Sequence, residues 1–453
     1  MSVGKLFSKQ LIPTIMGMVA SALFTVVDGI FVGNGVGSDA IAAVNISAPI
    51  FMIITGVGLM FGMGGGILAS INLSRGKNKV ANINLTQSVA ALLTVSVLLT
   101  LALTIFPHKV ALLFGSDEYL LDMVVEYLFW FSISLPFTVL VVALPFFIRL
   151  TNPKVSMWAM LAATLVNIVL DYLFIFIFEW GLFGAAIATD IGEAVGATIM
   201  IAYLFRRSIA VRFVRLKLSI RSLLLTLRNV GYMVRLGVSV FLSEITISVM
   251  IIAGNYAFMD YLGADGVAAY SVICYLFPII FMVFNATVQS AQPIISYNYG
   301  CGQIERSNKA LRLSMGFASG FAVVITVLFM CFASSIVSLF IPDPTNPAWQ
   351  YAADGLPLFA IDYLFFGINI IMIGYYTSIE RLNRAISLTV LRGILPVVFF
   401  FALPLWLGVT GIWLAVAAGD ITTVLVMSVL LVTDKMKKKN GSIDPANRRT
   451  VQA

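Results

Sequence analysis

The sequence predicts an all-α integral membrane protein whose twelve transmembrane helices form two pseudo-symmetric six-helix bundles, and three observations predict it. Of the 453 residues, 60% are hydrophobic and only 11% are charged, whereas soluble domains are about half apolar and a quarter charged. Apolar runs long enough to cross a bilayer recur along the whole chain. Similar short stretches also return about halfway through it.

Short polar breaks divide the chain into twelve apolar runs. About 20 helical residues, at roughly 1.5 Å each, cross a bilayer core of about 30 Å. The first run follows two lysines, as a secretory signal would, but it is long enough to span a membrane and predicts an uncleaved helix. The runs lie near residues 11–32, 40–70, 81–106, 123–148, 155–178, 183–205, 236–260, 267–298, 311–340, 355–379, 386–407 and 411–432.

The loops between these runs separate by charge. Every basic residue except Lys109 and Arg392 falls on one side, whereas the opposite loops carry acidic residues. Basic loops stay in the cytoplasm, so the pattern predicts a multi-pass protein of the cell (inner or plasma) membrane with both termini cytoplasmic. The same placement explains the net charge of +7 without nucleic acid, which we do not expect as a partner.

Short segments repeat at one spacing. "GSDAIAA" from Gly37 resembles "GADGVAA" from Gly263, and "SINLSRGK" from Ser70 resembles "SYNYGCGQ" from Ser296, both pairs 226 positions apart. Glycines 76 and 302 match within the second pair, and "GLFGAA" from position 181 matches "GVTGIW" from position 408. An even helix count gives both halves the same orientation, an arrangement typical of transporters. We predict an N-terminal lobe at 1–205, a basic cytoplasmic linker at 206–235, a C-terminal lobe at 236–433 and a cytoplasmic tail at 434–453.

Two carboxylates lie inside apolar runs. An ionised carboxylate in the hydrocarbon zone costs roughly several kcal/mol unless it is neutralised, paired or hydrated. Asp28 lies 19 residues beyond Lys9, and Asp171 lies 17 residues beyond Lys154. Both helices run outward, so each carboxylate should lie about 25–29 Å from the cytoplasmic edge. The equal depth predicts that they face one pocket.

Two uncharged polar residues accompany this pair. Asn167 precedes Asp171 by one helical turn, and Thr189 lies at the same depth in the next span. Together with Asp28 and Asp171, they form a predicted cage of four side chains for a proton or a small cation. Hydrogen bonds that merely join the helices are the alternative.

Five further residues are candidates for roles in transport. Pro13 either permits a bend in the first helix or occupies its first turn, where proline is harmless. Glu244 and Asp362, in the second half, are candidates for a second cation site or a contact with a cationic substrate. Asp190 and Glu193 share a face of the sixth span and are candidate modulators.

The sequence resembles the multidrug and toxic compound extrusion (MATE) family over nearly its whole length. The resemblance is carried by "IPTIMGMVASALFTVVDGIFVG", "LVNIVLDYLFIF" and "GLFGAAIAT". It is most similar to the prokaryotic DinF-like branch, in which an N-lobe site takes part in cation exchange. The resemblance assigns that site to Asp28, Asn167, Asp171 and Thr189, and the bend of the first helix to Pro13.

The resemblance is not uniform. Glu244 resembles the helix 7 glutamate of the sodium-using NorM-like branch, whereas Asp362 matches the helix 10 aspartate only roughly. The stretch "TDIGE" adds Asp190 and Glu193 where the family usually has uncharged residues. The choice between H⁺ and Na⁺ as coupling ion therefore stays open.

The resemblance implies a monomeric secondary multidrug exporter, not an enzyme, without cofactor. It would exchange organic, cationic and amphipathic compounds for H⁺ or Na⁺ by alternating access. A flippase for lipid-linked saccharides is the alternative, but it would favour a strongly cationic cavity, and Arg392 is the one base within a predicted span. An intramembrane enzyme would need aspartate-rich Mg²⁺ motifs or a His/Glu metal set, and neither occurs in the sequence.

Overall fold

The computed structural model describes residues 1–113, 118, 120–206, 208–217, 219–341 and 343–439, and most of them are helical. The first bundle contains α1 (Val3–Gly35), α2 (Ser38–Ser74), α3 (Asn78–Ile105), α4 (Pro107–Leu113), α5 (Leu121–Ile148), α6 (Pro153–Asp171), a π-helical segment (Tyr172–Ile177) and α7 (Gly181–Leu204). The second contains α8 (Ile220–Gly300), α9 (Ile304–Ser338), α10 (Pro347–Ala360), α11 (Asp362–Ser378), α12 (Leu382–Ala402), α13 (Pro404–Leu407) and α14 (Val409–Lys439).

Eleven helices within these ranges are long and apolar enough to cross a membrane. The pair α10 and α11, bent by 43°, forms a twelfth span when it is counted as one. Large apolar side chains such as Leu98 and Leu165 remain more than half exposed on the outer faces, as expected where lipid is the solvent. The predicted class, an all-helical membrane protein with two six-helix bundles, is confirmed.

Local sequence explains where several helices begin. The Ser2 side chain accepts a hydrogen bond from the Lys5 amide and caps α1. Asn152 and Asn346 cap α6 and α10, and in both helices proline follows at the first helical position. Asparagine satisfies a free amide there, and proline has none to satisfy, so both residue types favour a helix start.

The repeat in the sequence is also present in the backbone. The glycines that mark it have positive φ, a conformation that only glycine adopts at little cost. Glycines at matching positions share this backbone geometry because they make matching turns between spans. The pairs are Gly37 (124°) with Gly263 (66°), Gly76 (71°) with Gly302 (75°), and Gly181 (58°) with Gly408 (57°).

The connection between the lobes is partly helical. Residues 220–235, assigned to the linker from sequence, are the first part of α8 and continue into the seventh span. The helix breaks at Gly263 and then runs on to Gly300. The rings of Phe258 and Tyr270 stack with centroids 4.7 Å apart across this break, so the two parts of α8 lie side by side. Residues 440–453 of the predicted tail lie outside the described residues.

Candidate functional site

Asp171 and Asp28 lie together in the first bundle. Asp171 is the last residue of α6, and the π-helical segment follows directly after it. Its side chain is fully buried. Asp28 lies on α1, and the two carboxylates are close enough to interact electrostatically. Neither Asp171 oxygen, nor Oδ1 of Asp28, has a hydrogen-bond partner among the described residues. Buried acceptors without donors indicate a place for a proton or a cation.

Asn167 and Thr189 join the same cluster. Asn167 lies one turn before Asp171 and is 2% exposed. Its Nδ2 donates to Thr189 Oγ1 on α7 at 3.4 Å, while its Oδ1 has no donor within the part of the chain that the structure describes. The four residues predicted from sequence are thus brought to one place between α1, α6 and α7.

Tyr127 on α5 belongs to this cluster, and sequence reasoning missed it. Its side chain is buried, and it is within electrostatic range of Asp28, Asp171 and Asp190. Its ring is held by Phe131, stacked at 6.2 Å between centroids. A phenol within electrostatic range of three acidic groups can donate its hydroxyl to a carboxylate.

The two candidate modulators take different positions on α7. Asp190 faces the acidic cluster through Tyr127. Glu193, one turn further along, interacts electrostatically with Asp190 and lines the central cavity. Oδ1 of Asp190 and Oε2 of Glu193 are buried without a partner among the residues described. These residues connect the cluster to the cavity.

The central cavity lies between the bundles and has a volume of about 380 Å³, within the usual range for small-molecule sites. Its wall is largely apolar, with methionines and phenylalanines such as Met160 and Phe281. The polar wall residues come from both bundles. They are Ser21, Thr55, Arg149, Thr164, Asn167, Thr189 and Glu193 from the first, and Glu244, Asn285 and Gln289 from the second.

Arg149 closes one end of the cavity. It follows the last residue of α5 and is 2% exposed. Its Nη1 donates to Gln289 Oε1 in the second bundle, and Gln10 Nε2 donates to its carbonyl oxygen at 2.7 Å. Burial lowers the pKa of this guanidinium, just beyond the end of the span, to about 9. The group keeps its charge near neutral pH. Sequence analysis placed Arg149 in a cytoplasmic loop.

The bundles touch at the end where the basic loops lie, which we call the basic end (loops 75–77, 149–154, 301–303 and 379–381). Ser70 Oγ donates to the Pro293 carbonyl oxygen at 3.2 Å, and Cys301 Sγ donates to the Ser74 carbonyl oxygen at 3.3 Å. Deeper in, Gly237 packs directly on the backbone of Met60. The cavity is therefore closed toward the basic end.

The second bundle holds its own buried ionic cluster. Arg392 Nε lies 3.2 Å from Asp420 Oδ1, and Asn369 Nδ2 donates to the same oxygen at 3.0 Å. The Arg392 guanidinium also lies 4.2 Å from the centroid of the Phe366 ring. Asp362 is fully buried beside Asp420. Sequence analysis left Asp420 unassigned, and the structure gives it a structural partner.

Glu244 and Asp362 lie in different surroundings. Glu244 lines the cavity, whereas Asp362 does not. Both interact electrostatically with Arg392. Within the described ranges, no group of three or more histidine, cysteine, aspartate or glutamate residues could hold a metal ion.

Pro13 is inside α1. The helix begins at Val3, so Pro13 is well past the first turn and its ring is buried. The structure excludes the alternative that it occupies a harmless first-turn position. An interior proline removes one backbone hydrogen bond and weakens the helix locally.

Comparison with known proteins points to one family. The family model described as MatE matches residues 13–173 and 239–403, one segment in each bundle and most of the chain in total. The multidrug export protein MepA of Staphylococcus aureus (strain NCTC 8325 / PS 47) is 25% identical over 430 residues, covering 94% of this chain and 93% of MepA. MepA of Staphylococcus haemolyticus (strain JCSC1435) is 24% identical over 421 residues, covering 92% of this chain and 91% of that protein.

Solved structures share the fold. An outward-facing multidrug resistance MATE family transporter of the MOP superfamily superposes with a TM-score of 0.86 at 20% identity, covering 94% of each chain. A mutant of the Vibrio cholerae MATE transporter VcmN gives 0.86 at 20% identity, covering 96% of this chain and 97% of that one. At this identity the likeness concerns the fold alone.

Proposed function

Because this chain belongs to the MATE family of transporters, we propose that it is a secondary active multidrug exporter. It exchanges organic, cationic and amphipathic compounds for H⁺ or Na⁺ by alternating access. The observation that carries the proposal is the cluster of Asp28, Asn167, Asp171 and Thr189 beside a cavity lined by both lobes. The names of the MepA relatives support export of several compounds. We expect a monomer.

The acidic cluster supplies a physical basis for coupling. Two neighbouring carboxylates in an apolar bundle repel each other, and a proton or Na⁺ between them relieves that repulsion. Asp28 and Asp171 retain free acceptor oxygens for it. An ion drives transport only through its different affinities for the two facing states. Binding of a proton or Na⁺ to the cluster would neutralise the negative charge that makes Asp28 and Asp171 repel each other and retain water.

The first helix, α1, is the element that changes conformation when the ion binds. α1 carries Asp28 and also lines the cavity through Met18 and Ser21. Pro13, in its interior, provides the weak point at which α1 bends when the ion binds. Bending narrows the cavity and displaces the substrate. In the other lobe, Glu244 at the cavity wall and Asp362 beside Asp420 are two separate candidates for a second cation or substrate contact. Asp190 and Glu193 act as modulators.

We assign the basic end to the cytoplasm, with both termini there, because basic loops are retained on that side of a membrane. On this assignment the contacts between Ser70 and Pro293, and between Ser74 and Cys301, close the cytoplasmic side. The structure then represents the state in which the exporter releases substrate outward.

A flippase for lipid-linked saccharides is the second candidate. Arg149 gives it some support, because a cavity-lining arginine suits a phosphate group. Glu193 and Glu244 line the same cavity and would repel a diphosphate. We therefore favour export of compounds that carry a positive charge.

The test uses the two carboxylates in vesicles. Wild type, Asp28→Asn and Asp171→Asn are reconstituted, and ethidium transport is driven separately by a pH gradient and by a sodium gradient. We expect each substitution to slow gradient-driven exchange at least tenfold, as loss of an essential ion ligand should. The matched control is Asp122→Asn, because Asp122 is exposed in the first turn of α5.

Wild-type transport with one gradient alone identifies the coupling ion. Exchange at the wild-type rate in both variants would remove the acidic cluster from the mechanism. Absence of gradient-driven ethidium transport by the wild type, with transport of a lipid-linked saccharide instead, would favour the flippase.

A further inference from the structure

A buried arginine with no anionic partner among the described residues lines the central cavity. Arg149 donates through Nη1 to Gln289, and its guanidinium lies 5.6 Å from the centroid of the Phe146 ring. Its Nε is buried with no hydrogen-bond partner, and it forms no ion pair with a carboxylate of the described residues. The amide and the ring leave part of the guanidinium unsatisfied.

Such a group is costly unless something binds to it. A buried charge without a counter-charge is destabilising by several kcal/mol, and a buried N–H without an acceptor adds to that cost. The guanidinium is a planar array of donors that matches a carboxylate in geometry. Side chains tilt toward the N-terminus of their helix, which directs Arg149 from the end of α5 back into the cavity.

Glu244 lies at a different level of the cavity from this arginine. On α2, Gly66 packs against Phe146 and Gly56 packs against Glu244. Those two glycines are ten residues apart in a helix, which corresponds to about 15 Å. The cavity therefore has a cationic group at its basic end, an acidic group, Glu244, further away, and a largely apolar wall. This arrangement is complementary to an elongated molecule with opposite charges.

We infer that Arg149 forms a subsite for the carboxylate of a zwitterionic amphipathic substrate, whose cationic end faces Glu193 and Glu244. The inference rests on the proposed export function and narrows its substrate class. A substrate carboxylate provides the missing acceptor for Nε. A purely cationic compound leaves the arginine unpaired and brings a like charge toward it.

The experiment compares rhodamine B, which carries a free benzoate beside its cationic xanthene, with rhodamine B methyl ester, which is only cationic. Binding of each dye to purified protein in lipid nanodiscs is measured by fluorescence anisotropy. We expect Arg149→Gln to weaken rhodamine B binding about tenfold or more, the range for a hydrogen bond to a charged group. Binding of the ester should change less than twofold, and Arg149→Lys should recover part of the loss.

Arg228→Gln is the matched control, because Arg228 is exposed and should affect neither dye. Equal weakening of both dyes would assign Arg149 a purely structural role and overturn the inference. Unchanged rhodamine B binding in Arg149→Gln, or no binding of either dye by the wild type, would overturn it as well.

A transport measurement separates this outcome from the proposed function. If Arg149→Gln selectively weakens rhodamine B binding but no ion gradient drives movement of either dye by the wild type, export is wrong and the carboxylate subsite stands. If the ester is exported under a gradient while Arg149→Gln keeps full affinity for rhodamine B, the subsite is wrong and export stands.

Discussion

Replacing Gly237 by alanine tests whether the lobes must touch during transport. The added Cβ would overlap the Met60 carbonyl oxygen and lie 2.6 Å from its carbon, whereas ordinary Cβ contacts begin near 3.4 Å. Helices α2 and α8 would have to separate by about 1 Å. Overpacking of this kind costs about 1–3 kcal/mol. Because a state with the basic end open is free of this cost, the ratio of closed to open molecules should fall about 5- to 150-fold.

A cross-link across the basic end measures that population. Ser74→Cys is introduced next to the native Cys301, whose thiol donates to the residue 74 carbonyl oxygen, and the other two cysteines are replaced by serine. Oxidative cross-linking should be fast in this background and at least fivefold slower when Gly237→Ala is added. Ethidium export should fall with it.

Gly231→Ala is the control, because a Cβ at Gly231, on the same helix, meets nothing within 4 Å. Alanine favours a helix over glycine, so this variant should keep its cross-linking rate and be slightly more stable. Equal cross-linking and equal export in Gly237→Ala and its parent would refute the argument that this contact belongs to the transport cycle.

Three further predictions concern residues away from that contact. Tyr127→Phe should slow ion-driven exchange several-fold without changing the melting temperature, because only a hydroxyl facing the acids is lost; an unaltered rate would exclude Tyr127 from the site. Arg392→Ala should destabilise the protein by about 3–5 kcal/mol, because it leaves Asp420 buried without its cation. Arg392→Lys should lose less, and equal melting temperatures would contradict the ion pair's role. Pro13→Ala should stiffen α1 and slow exchange in vesicles, whereas a wild-type rate would exclude bending at this position.

The spans and the depth of the first acidic pair could be predicted from sequence. Apolar runs of bilayer length define the helices because lipid leaves few alternatives to a helix. Counting residues from Lys9 and Lys154 gave Asp28 and Asp171 the same depth, and the structure brings these carboxylates within electrostatic range. The depth of a residue in the membrane follows from its position along a helix with a fixed rise per residue, so a single sequence is enough to predict it.

Rotation about the helix axis was harder to predict. Tyr127 is one of 15 tyrosines, and α5 is apolar on every side, so nothing in the sequence directs its phenol toward the acids. Arg149 lies in a polar break between two apolar runs and was counted with the basic loops for that reason. Its burial depends on Gln289, which is 140 residues away.

Pairing between distant spans was equally inaccessible. Asp420 and Arg392 lie on α14 and α12, and their contact depends on how those helices cross. Similarly, Asp362 was a candidate for a second cation site or a substrate contact, and the sequence did not show that its buried neighbour is Asp420. A single sequence gives the cost of each buried charge but does not identify the partner that offsets it.

The continuity of α8 restricts how the lobes can rock. Its two parts meet at Gly263 with almost no loop, and each part also holds α2, through Gly237 on one side and Pro293 on the other. Because both parts of α8 contact α2 and are joined almost without a loop, one part cannot separate from α2 while the other stays in place. The seventh and eighth spans should therefore move away from α2 as one rigid unit. The change of conformation that this movement needs should occur in the described non-helical residues just after α7, and not at the break at Gly263.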